Sequence, residues 1–270
     1  MRIVVSHLTR MQRGQVCVAG LDVETGQHVR PVLPMGTIQS RMTAVRGGPF
    51  DMATIVDLGL TRPVPSPPEV EDVEFTTWHA RAERLVDAEL FWEMLTVKSR
   101  DSLADIFGSE LRAIGRGVSR RAVTDLGTGI ASLGVLRPRR QPELFLSSKP
   151  DGREVVRLRL SDGALSLDLS VTDLRLHADD GARPDVQRVR EVAERLGRGV
   201  PVLVGVGLTR PFAARPDETP VHWLQVNNLH LEDDPAWRLA SPTPADRRIA
   251  APVLAGVGGN PSNADDGPLF

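Results

Sequence analysis

Gly59-Leu60-Thr61-Arg62-Pro63 and Gly207-Leu208-Thr209-Arg210-Pro211 are the same five residues, met twice in one chain. Each closes an apolar run, Met52 to Leu58 ahead of the first and Val200 to Val206 ahead of the second. Each is followed by a Pro-bearing link and then by a strand-like stretch. An identical pentapeptide in matching surroundings predicts an internal duplication. The period is far too long for a solenoid, so two related small domains are expected.

The residues around the first copy read as short strands. Arg2 to His7, Gln15 to Asp22 and His28 to Leu33 are apolar runs, and Glu24-Thr25-Gly26 is a hairpin turn between the last two. Pro31 lies late in the third run, and Pro cannot donate to a ladder. Met52 to Leu60 and Val70 to Phe75 complete five strands, joined by a link with Pro63, Pro65, Pro67 and Pro68. Short strands with Gly and Pro punctuation and little helix predict a small closed barrel.

After Thr77-Trp78-His79 the period changes. Leu85, Trp92 and Leu95 fall at helical spacing, and Asp101 or Ser102 can cap a second helix running through Phe107. Arg112 to Arg140 holds seven Arg and one Asp among several Gly, which predicts a mobile surface segment. Strands resume at Glu143 to Leu146, Val155 to Leu160 and Leu165 to Leu169, the latter pair joined by Asp162-Gly163. Pro184 to Leu196 is a helix with Val186, Val189, Val192, Ala193 and Leu196 as its apolar stripe. Gly197 is its expected cap. Val202 to Leu208 and Val221 to Val226 are the last strands. From Ala236 onward Pro and Gly dominate, the pattern of a flexible tail.

The expected architecture is therefore mainly β with α insertions, of α+β class. A first barrel occupies residues 1–76 and a helical, Arg- and Gly-rich connector residues 77–142. A second barrel with helix 184–196 occupies residues 143–235, and a flexible tail residues 236–270.

Bulk composition narrows the function. With 41% hydrophobic and 25% charged residues the chain is ordinary for a soluble protein. A net charge of −2 gives no global attraction to a polyanion, so such a site must be a local patch. Cys17 is the only cysteine, which excludes an intrachain disulfide and a multi-Cys zinc site; in its strand it reads as a small buried hydrophobe. No run is long enough to span a membrane. The N-terminus reads as a strand and not as a signal peptide, so a cytoplasmic location is expected. Arg greatly outnumbers Lys, which occurs only at positions 98 and 149, so Arg abundance by itself is not functional evidence.

Cys17-Val18-Ala19-Gly20-Leu21-Asp22, then Thr25-Gly26, then Val29-Arg30-Pro31-Val32, resembles the opening of the bacterial dual-OB domain family. Gly207 to Pro211 with His222-Trp223-Leu224-Gln225-Val226-Asn227-Asn228 resembles that family's end. The resemblance covers roughly residues 1–235. It implies two OB-type barrels related by duplication, and by fold analogy the binding of nucleic acid or a nucleotide. This chain carries Gln27-His28 where an aromatic is more often expected.

A nucleic-acid or nucleotide site of this type needs cations for phosphates and rings for bases. Arg10, Arg30, Arg62 and Arg210 are candidate cations, and Arg116, Arg120 and Arg121 stand in the densest basic stretch. Arg30, Arg62 and Arg210 each precede a Pro, where an Arg can instead hold the turn. The basic stretch is either an anion site or a solvated face. Rings are scarce: Tyr is absent, and Trp78, Trp92, Trp223 and Trp237 are the only indoles, with Trp92 and Trp223 read as core. This favours a nucleotide-sized pocket over stacking along an extended strand.

Asn227, Asn228 and His230 begin the densest polar cluster, which ends at Asp234. It is an exposed strand end, a base-reading amide pair, or a His with carboxylates that can act as a general base or ligate a metal. The six His show no zinc-hydrolase spacing, and there is no Walker A, G-x-S-x-G or dinucleotide fingerprint. Catalysis, a metal and a cofactor are therefore not expected. The first expectation is a DNA-favouring nucleic-acid or nucleotide binder in bacterial defence or repair. The alternatives are an enzyme acting on a nucleotide or base, and a protein-interaction adaptor. Asp266-Gly267-Pro268-Leu269-Phe270 resembles the sliding-clamp-binding motif in its Leu269-Phe270 ending, with Asp266 where Gln is usual. It reads either as a partner anchor or as an unselected terminus.

Overall fold

In a computed structural model the described residues run from Met1 to Arg238, apart from 116, 118, 119, 179–182 and 216. Residues Met1–Ala240 form one compact unit. Three sheets and a few short helices build it.

The first sheet is centred on β1 (Arg2–Arg10), which is buried along nearly its whole length on both faces. That is why Ile3-Val4-Val5-Ser6-His7-Leu8 reads as a continuous run and not as an alternation. On one side β1 pairs antiparallel with β2 (Val16–Asp22), which pairs with β3 (His28–Val32). On the other it pairs with β4 (Thr54–Asp57). Beyond β3 lie β6 (Asp72–Glu74), in parallel, and β5 (Arg62–Pro63); beyond β4 lies β7 (Arg81–Leu85). The five expected strands are present. The ladder runs from β5 to β7, and these two edges are not paired with each other among the described residues.

The expected connector is not a helical one. Residues 77–142 supply α1 (Ala88–Lys98) and α2 (Leu103–Phe107), but also β7, β8 (Ser99–Arg100), β9 (Arg112–Ile114), β10 (Arg121–Thr124) and β11 (Leu133–Leu136). Asp87 caps α1 by accepting from the Glu89 N–H, and Ser102 caps α2 by accepting from the Asp105 N–H. The Arg- and Gly-rich stretch expected as a mobile surface instead buries Ala122, Val123, Leu133, Val135 and Leu136. Its strands are only three or four residues long, too short for a periodic signal.

The second sheet is built on a long antiparallel hairpin, β15 (Val202–Leu208) with β16 (His222–Leu231). Its order is β8-β11-β15-β16-β10-β9. A third sheet is the meander β12 (Glu143–Ser148), β13 (Glu154–Ser161) and β14 (Ser166–Ser170). α3 (Val186–Gly197) packs on it, with Val189, Val192 and Leu196 buried. Asp185 caps α3, accepting from the Arg188 N–H. Pro184 thus stands one residue before the cap, and Gly197 ends the helix itself.

The two pentapeptides differ in setting. Gly59 follows β4 with φ of +72°, and Leu60 is exposed. Gly207 lies inside β15, and Leu208 is buried. The equivalence expected from a duplication is not found at this level.

The halves interlock around β1. The Asn228 Oδ1 accepts from the Leu8 N–H at 3.0 Å, and its Nδ2 donates to the Leu8 carbonyl at 3.3 Å. The Arg10 N–H donates to the Thr172 carbonyl at 2.8 Å. The buried Glu71 carboxylate accepts from Ser132 N–H, Ser132 Oγ–H and Leu133 N–H. Val135 and Leu203 pack into the core of the first sheet.

Candidate nucleotide-binding cleft

Between the first sheet and the β15–β16 hairpin the molecule opens into a cleft of about 770 Å³. One wall comes from β1 to β3, with Thr9, Arg10, Cys17 and Arg30. The other comes from β15, β16 and the link between them, with Arg210, Phe212, Gln225 and Asn227. Thr9 and Cys17 are cross-strand partners, so their side chains share one face of the sheet.

Four of the residues expected to bind phosphate or base come together here: Arg10, Arg30, Arg210 and Asn227. Asn227 is brought in by a β-bulge. Val206 pairs with Val226 and Gly205 with Asn228, leaving Asn227 unopposed, and such a residue is re-aimed relative to its neighbours. Gln225 Nε2 donates to Asn227 Oδ1 at 3.1 Å, so the two amides act as one fixed polar edge.

The arginines are held by carboxylates. Arg30 Nε donates to Asp72 Oδ1 at 2.5 Å, and Arg210 Nη2 donates to Asp72 Oδ2 at 2.6 Å. Arg210 Nη1 also lies 3.2 Å from Glu69 Oε1. Arg30 is 5% exposed. Burial opposes its charge, but Cys17 and Asp72 outweigh it and hold its pKa above the ordinary value. Arg210 is half exposed, so its charge remains open to the cleft.

Two polar atoms of this wall's residues have no hydrogen-bond partner. Thr9 Oγ1 and Arg30 Nη2 are buried and make no hydrogen bond. Groups of this kind cost free energy unless something satisfies them. Burial pushes the Cys17 thiol pKa up, against the pull of Arg30 and Arg210.

Sequence reasoning missed the ring. Phe212 is 49% exposed at the cleft and stacks on Trp223 at 5.7 Å between centroids and 25° between planes. Trp223 Nε1 donates to the Phe212 carbonyl at 3.2 Å, which fixes the pair. The Arg121 guanidinium lies 5.9 Å from the Trp223 ring centroid. The signal for Phe212 was its place directly after the second pentapeptide, at Pro211.

The remaining expected site residues lie elsewhere. Arg62 is exposed and pairs with Glu74 at 2.5 Å. Arg120 accepts the Asp168 N–H through its carbonyl, and Arg121 serves the Trp223 ring. Arg116, Leu269 and Phe270 fall outside the described residues. Asn228 is committed to Leu8. His230 is fully buried, and its Nδ1–H donates to the Pro235 carbonyl at 3.1 Å. Burial, with Arg175 beside it, lowers the His230 pKa to about 4, and Asp233 is paired with Arg195. The cluster expected as an exposed strand end or a general base is thus largely structural from Asn228 to His230, because the strand runs through the core. No group of His, Cys, Asp and Glu suited to a metal ion occurs among the described residues. None of the described helices is long and apolar enough to cross a membrane.

The chain belongs to the dual OB-containing domain family, whose profile matches residues 1–229. No curated protein and no solved structure matches it.

Proposed function

We propose that this cleft binds a nucleotide unit, of a nucleic acid or free. One observation carries the proposal: Phe212, the Gln225–Asn227 amide edge, and Thr9 and Arg30, each with a buried polar atom that lacks a hydrogen-bond partner, line one cleft. A ring stacks a base of any identity, the amides bond a base edge, and those two atoms can donate to phosphate oxygens. The cleft volume is that of a small-molecule site, which suits one or two nucleotides. The OB family membership supports the same chemistry.

A preference for DNA and a place in bacterial defence or repair extend this proposal. The Leu269-Phe270 ending supports them as a candidate anchor for a sliding clamp. The test is equilibrium binding of single-stranded DNA, duplex DNA, RNA and free nucleotides at two salt concentrations, with wild type and Phe212→Ala. Binding that Phe212→Ala weakens is expected; no binding in any arm overturns the proposal.

A further inference from the structure

We infer that the cleft takes a nucleotide unit that ends in a phosphomonoester, with the terminal phosphate at Thr9 and Arg30. This rests on the cleft being the nucleotide site proposed above and adds which part of a nucleotide reaches its floor.

The argument is one of depth and charge. Thr9 and Arg30 are 3% and 5% exposed, and their Oγ1 and Nη2 atoms have no hydrogen-bond partner. An Arg nitrogen can only donate, so the partner Arg30 Nη2 lacks is an acceptor, and the Thr9 hydroxyl can donate to the same group. Arg30 keeps its positive charge beside Asp72, so an anionic oxygen is favoured over a neutral one. An internal phosphate is esterified on both sides. To reach these donors, a strand would have to descend to the floor and climb out again through about 770 Å³. A terminal phosphate has one ester link and free oxygens, and it reaches the floor with its own base left at the Phe212 level.

Charge along the rim agrees. Arg210 is shared by Glu69 and Asp72, so the rim is no continuous cationic track of the kind that holds a strand by its backbone. The unit can be a free nucleoside phosphate or the phosphorylated end of a strand, and the chemistry of the contact is the same.

The experiment uses the full chain and four probes: a nucleoside monophosphate, its nucleoside, a linear single strand phosphorylated or hydroxylated at each end in turn, and a closed circular strand. The phosphorylated probe is expected to bind at least about tenfold tighter than its hydroxyl counterpart, the gain of one charge-assisted hydrogen-bond set. Thr9→Val, which keeps the side-chain shape, is expected to narrow that gap. Arg30→Lys tests the cation, and its folding is checked by thermal melting. Preference for the monophosphate over the phosphorylated strand assigns the site to free nucleotides, and the reverse to strand ends. Equal binding of circular, hydroxylated and phosphorylated strands overturns this inference and leaves the nucleotide-site reading standing. No binding of any probe overturns both.

Discussion

Asn227 has room for its amide beside the cleft because Gly207, on the neighbouring strand, has no side chain. A Cβ built at Gly207 would overlap Asn227 Nδ2 and come within 3.1 Å of Leu133 Cδ2. Gly207→Ala is therefore expected to displace the amide, destabilising the fold by about 1–3 kcal/mol and weakening ligand binding. Thermal melting with a binding titration measures both; unchanged binding would separate Asn227 from the site.

The other glycine of the repeat answers to a different constraint. Gly59 has φ of +72°, and a Cβ there would lie 2.7 Å from the His79 Cβ. Gly59→Ala is expected to cost about 1–2 kcal/mol from the left-handed backbone alone, with ligand binding intact. A binding defect in a folded Gly59→Ala protein would contradict the placement of the site.

Phe212→Ala removes a half-exposed ring that packs only on one side against Trp223. Stacking of a base is worth about 1–3 kcal/mol, so affinity should drop by that amount with little change in melting temperature. Phe212→Tyr should retain most of it. Equal affinity for Phe212→Ala and wild type would remove the ring from the site.

Arg62→Ala is the control. Its ion pair with Glu74 lies at the surface, where such pairs contribute about 0–1 kcal/mol. Stability and binding should both stay near wild type, whereas Arg210→Ala should weaken binding. An effect of Arg62→Ala as large as that of Arg210→Ala would put the ligand path along β5 instead of in the cleft.

Acid should loosen the molecule at its histidines. His28 and His230 have pKa values lowered from 6.5 to about 4, chiefly by burial. The folded protein therefore binds these protons more weakly than the unfolded chain. Stability is full above pH 6.5 and falls as the pH drops toward about 4, by an amount on the order of 3 kcal/mol for His230 if its shift is fully expressed. His230→Gln should flatten the fall measured by denaturant titration across that window, and an identical slope in the variant would exclude His230 as a source.

Much of the fold was legible where strands are long or joined by plain turns. β1 to β4, β12 to β16 and α3 stand in the sequence as apolar runs, Gly-marked hairpins and a capped stripe. β8 to β11 were not, because two- to four-residue strands carry no period and their arginines look like surface. The site was half legible. Arg10, Arg30, Arg210 and Asn227 came from residue type and motif position, but their convergence depends on pairing between distant strands. Asn228 and His230 look as polar as Asn227; only the bulge decides which of them faces outward.

The bond between Asn228 and Leu8 joins residues 220 positions apart. β1 is thus completed by a side chain from the last strand in chain order, and neither half satisfies its own backbone alone. Loop closure over that span must precede the contact, so the docking of the β15–β16 hairpin against β1 is expected to be a late step of folding. The cleft lies along this same seam, which makes a ligand there a clasp across a late-formed boundary: binding should slow unfolding in proportion to occupancy, and a chain cut between the halves should recover its binding surface only when both pieces are mixed.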